Sequence, residues 1–104
     1  MHRFTKVKRI HKELLQGPNR SVALGRPLLT EYLIWRALVD YEANKTTSMT
    51  AETYARSIMP AVEEHLALEE RHLELGPIIT SLLISLIVEI VERIIKNMLD
   101  DWKK

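Results

Sequence analysis

The sequence predicts an all-α fold: one domain, a compact bundle of about four helices. Gly and Pro carry most of that inference, because they fall almost only at Gly17-Pro18, at Gly25 with Pro27, and at Gly76-Pro77. At such borders one helix stops and Pro opens the first turn of the next. Alternating apolar and polar residues with β-branched enrichment, the mark of strands, are missing outside the last segment, whose length favours helix. At 104 residues, 46% of them hydrophobic, the chain is large enough to bury a core of its own.

The first helix is expected over residues 4–16. At 100° per residue, Phe4, Val7, Ile10, Leu14 and Leu15 share one arc, with Lys8, Arg9 and Lys12 opposite and Lys6 on the border. The following GPNRSVALGRP reads as a loop carrying Arg20 and Arg26, and its glycines are expected in left-handed caps. A second helix covers 27–43 and a third 50–75. Pro60 lies inside the third and removes an amide donor, so a kink or break is expected near Ile58 and Met59.

The fourth helix, 77–102, carries Ser81, Ser85, Glu89, Glu92, Lys96 and Asp100 on one narrow polar stripe. Nearly everything else up to Leu99 is apolar. So wide an arc needs cover from more than one neighbour. Either the helix is central in its own bundle, or part of the arc is an interface with another copy or subunit. The seam Ile84, Ile87, Val91, Ile94 and Met98, spaced three and four apart, is the candidate interface.

Charge is segregated along the chain. Residues 1–26 hold seven Lys/Arg against the single acid Glu13, a balance of +6, and residues 27–104 hold eight against thirteen acids, a balance of −5. A basic end attracts a polyanion, since paired phosphates release condensed counterions without any base-specific motif. The candidate nucleic-acid contacts are Lys6, Lys8, Arg9, Lys12, Arg20 and Arg26. With Phe4 assigned to the apolar side, contact is expected with the backbone of RNA or DNA rather than through base stacking. The competing reading is a solvated face that merely complements the acidic remainder.

Several classes are disfavoured. Cysteine is absent, which removes disulfides and thiolate chemistry and points to an intracellular, cytoplasmic protein. MHRFTKVKRIHKELL lacks the apolar core of a secretory signal. The most apolar run, 78–88, is about half a bilayer span and is followed by Glu89, Glu92 and Arg93, so no membrane partner is expected. Neither a nucleophile elbow nor a phosphate-cradling glycine loop occurs. A non-catalytic protein without cofactors follows.

His65, Glu69 and His72 interrupt an apolar arc of the third helix, and Glu69-Glu70-Arg71-His72 has the Glu-x-x-His spacing of carboxylate-bridged di-iron bundles. That segment resembles the ferritin-like pattern, which with Glu31 on the second helix implies a di-iron carboxylate protein using Glu31, Glu69 and His72. The favoured alternative makes His65 and His72 interhelical hydrogen-bonding residues, partly buried and paired with Glu31, Glu42 or Glu69.

In size, helical class and charge layout the whole chain is similar to the small subunits of CRISPR effector complexes, a resemblance that involves no motif. It implies a ribonucleoprotein component of antiviral defence that stacks in several copies and guides nucleic-acid backbones. The first helix begins almost at Met1, as expected of a subunit made from an internal start within a larger gene. A small viral capsid or packaging protein has the same physical profile.

Overall fold

The computed structural model describes residues 2–44, 48–69 and 76–102, without the side chains of 2, 68–69 and 98–102. It is all-α, with helices α1 (His2–Leu14), α2 (Arg20–Gly25), α3 (Pro27–Glu42), α4 (Ala51–Glu69) and α5 (Pro77–Trp102) and no strand among the described residues. The four expected helices are present. The fifth, α2, replaces the loop read between Gly17 and Pro27.

That short helix is held by what surrounds it. Asn19 precedes it without capping it. Its amide instead reaches α5, donating to Glu89 Oε1 at 2.9 Å and to the Ser85 carbonyl at 3.4 Å. At the other end the fully buried Thr30 hydroxyl donates to the Arg26 carbonyl at 2.7 Å and lies 3.5 Å from that of Ala23. The turn between α2 and α3 is thereby fixed by one side chain, and Ala23 is sealed against the core.

α5 packs against each of the other four helices, which explains why apolar residues cover so much of its circumference. Leu83, Leu86, Ile87, Ile90, Val91 and Ile94 are all buried, facing Val7, Ile10 and Leu14 of α1, Leu33 and Leu38 of α3 and Ala55, Val62 and Leu66 of α4 within one cluster. This corrects the interface assignment. Ile87, Val91 and Ile94 belong to the molecule's own core and Ile84 packs partly buried against it, because α1, α3 and α4 all pack on this helix. The Met98 side chain lies outside the described residues.

Two further expectations change. α4 runs through Pro60 without a break. Pro60 and Arg56 are both exposed, so the Arg56 carbonyl that loses its amide partner is on the solvent side of the helix, where water can satisfy it. Residues 70–75 of the expected third helix lie outside the described residues. No described glycine has a positive φ; that conformation falls to Asn44, φ 63°, after the end of α3, a place where Asn substitutes for Gly. Gly17 is required for another reason. A Cβ there would run into the Glu89 carboxylate.

Candidate nucleic-acid interface

α1 runs antiparallel to α5, as the pairs Arg9–Asn97 and Asn19–Glu89 show. The register sets which of its polar groups turn inward. Glu13, the only acid of residues 1–26, accepts a 2.9 Å hydrogen bond from Asn97 Nδ2, and Asn97 is itself buried and donates to the Arg93 carbonyl at 2.7 Å. Arg9 is drawn to the same place, its Nη1 donating to Asn97 Oδ1 at 3.2 Å. Farther along, Glu89 is 7% exposed and holds Arg93 Nη2 at 3.3 Å besides Asn19. A polar seam thus lies between α1 and α5, and Glu89 sits inside rather than on the solvent stripe. A carboxylate there is tolerable because each oxygen has a donor.

With Glu13 turned inward, the outer face of α1 keeps its cations. Lys8, Lys12 and Arg20 are exposed, and none pairs with a carboxylate among the described residues. Lys6 and Arg26 are half-buried. Of the six candidate contacts, Lys8, Lys12 and Arg20 are therefore the most available, Arg9 is exposed but shared with the seam, and Arg26 faces a groove beside α2.

Phe4 is the residue misplaced by sequence reasoning. It is 46% exposed, and Lys8 Nζ lies 4.5 Å from its ring centroid. An i, i+4 pair differs by only about 40° around a helix, whereas Phe4 is about 120° from Ile10, so the angle was available to place it on the basic side. The ring adds an accessible aromatic surface to a cationic face.

The histidine region is different in kind. His65 is half-buried and stacks on Tyr32 of α3, ring centroids 4.1 Å apart and planes within 6°. Tyr54 donates to Asp40 Oδ2 at 2.7 Å, and Arg36 donates to the Tyr32 hydroxyl at 3.2 Å with its Nε 3.8 Å from Asp40. These side chains bridge α3 and α4. Burial, reinforced by the hydrogen bond to Asp40, pushes the Tyr54 phenol well above its ordinary range. Glu42, an expected histidine partner, instead binds Arg3 at 2.6 Å. Glu31 is exposed, while the Glu69 side chain and His72 lie outside the described residues. Among the described residues no group of three His, Asp or Glu is placed to hold a metal ion, and no helix is long and apolar enough to cross a membrane.

No family model, curated protein or solved structure matches this chain.

Proposed function

We propose that this protein is a non-catalytic, sequence-independent nucleic-acid-binding subunit that contacts the phosphate backbone through Lys8, Lys12 and Arg20. The observation that carries the reading is the hydrogen bond that ties Glu13 to Asn97, so that Lys8 and Lys12 on α1 and Arg20 at the start of α2 stay exposed and, among the described residues, unpaired with a carboxylate. Phosphates approaching these cations gain affinity by counterion release. Phe4 beside Lys8 adds a base-stacking surface, available only where bases are unpaired. Single-stranded RNA or DNA is the preferred ligand on that account, and assembly with other subunits, as in the small subunits of CRISPR effector complexes, is its natural setting.

The test is fluorescence anisotropy with labelled single-stranded oligonucleotides of unrelated sequence and a matched duplex. Affinity should vary little between sequences. Phe4→Ala should weaken single-strand binding by about 1–3 kcal/mol and leave the duplex nearly unaffected. Lys12→Glu should weaken both. Binding that depends on sequence, or that ignores Lys12→Glu, would overturn the assignment.

A further inference from the structure

α1 packs on α3 and runs antiparallel to it, with Arg3 near the start of α1 bound to Glu42, the last residue of α3. Around α1, Arg9 and Glu13 turn to α5. The opposite flank, with Phe4, His11 and the Lys8 ammonium over the Phe4 ring, is therefore the one beside α3. Trp35 stands two turns before Glu42 on the same side of α3, which brings it to that flank at the level of Lys8 and His11. Beyond Trp35 opens a pocket of about 400 Å³, lined by Tyr32, Trp35, Arg36, Val39 and Asp40. Its walls are fixed by their neighbours. His65 stacks on the Tyr32 ring, Arg36 donates to the Tyr32 hydroxyl, and Asp40 accepts from Tyr54, while Trp35 is half-buried against the core.

We propose that this pocket takes one unpaired base of a single strand whose phosphates lie on Lys8 and Lys12, with the Trp35 indole as its stacking platform. The inference rests on the nucleic-acid reading and adds to it a second aromatic site, one helix away from Phe4. An indole face accepts any base, and the Arg36 guanidinium, 39% exposed, adds a cation–π contact at the rim. An arginine and a carboxylate around two rings suit the donors and acceptors of a base edge. An aliphatic side chain would bury both charges without satisfying either. A duplex keeps its bases stacked and leaves the platform empty. One acid lies beside the path: Glu31 is exposed one turn before Trp35, whereas Glu42 is held by Arg3. Its charge opposes the strand.

The probe is a single strand of DNA of about eight nucleotides, titrated with the intact protein beside the same strand with abasic sites in place of its bases. Trp102→Phe leaves Trp35 as the only tryptophan, and its fluorescence should be quenched saturably by the intact strand and far less by the abasic one. Trp35→Ala should weaken the intact strand about fivefold or more and the abasic strand by less than about twofold. Trp35→Leu keeps apolar cover over the core and serves where Trp35→Ala loses helical circular dichroism; it should be equally selective. Glu31→Gln should tighten both strands, and Lys8→Ala/Lys12→Ala should weaken both alike. If the lysine variant weakens binding while the Trp35 variants hold the intact strand as wild type does, this site falls and the backbone reading stands. If wild type binds neither strand, both fall. Equal losses on the intact and abasic strands in Trp35→Leu, or no tightening in Glu31→Gln, would also overturn the site.

Discussion

Gly17 and Glu89 show how much one atom can matter in this fold. The carboxylate occupies the space of a Gly17 Cβ while accepting from Asn19 and Arg93, so Gly17→Ala must displace a buried charge from its donors. We predict a loss of about 1–3 kcal/mol in denaturant unfolding; an unchanged midpoint would contradict the seam. Tyr54 makes a pH-dependent contribution. Its phenol is pushed up by burial and by Asp40, whereas the unfolded chain ionises near pH 10. Above that pH the unfolded state binds fewer protons than the native one, so this contribution is complete below about pH 10 and is lost as pH rises beyond it. Tyr54→Phe should cost about 1 kcal/mol at neutral pH and flatten the alkaline decline. An equally steep decline in the variant would assign the effect elsewhere.

Among the elements, α4 and α5 set opposite tests. Pro60 is exposed within a continuous helix, so Pro60→Ala restores a hydrogen bond to Arg56. It should stabilise by up to about 3 kcal/mol, less about 0.5–1 kcal/mol for the freer unfolded chain. Thermal unfolding measures the sign. α5 is the central element, and Ile87→Asp or Ile94→Asp places a charge among residues 0% and 1% exposed; loss of helical circular dichroism is expected, and a folded, dissociated variant would contradict that placement. How far these elements were legible follows from chain physics. Gly-Pro borders and apolar periodicity mark α1, α3, α4 and α5 in the sequence. α2 is too short for periodicity and is held by Asn19 and Thr30, whose partners are tertiary. The burial of Glu89 was hidden for the same reason, because a polar stripe looks solvent-facing until α1 lies on it.

At the scale of the whole molecule, the charge split of the sequence survives folding in sharpened form. The fold sorts the basic segment into cations that brace the molecule, such as Arg9, and cations left at the surface, Lys8, Lys12 and Arg20. A count of charges could delimit the segment but not perform that sorting, which depends on the register of α1 against Asn97. The account stands on those surface cations. Its most direct test is the slope of log affinity against log salt for duplex DNA, wild type beside Lys8→Ala/Lys12→Ala. Three phosphate contacts predict a slope of about −3 for the wild type, falling by about 2 in the double variant. A wild-type slope near zero, or the same slope in both proteins, would contradict it.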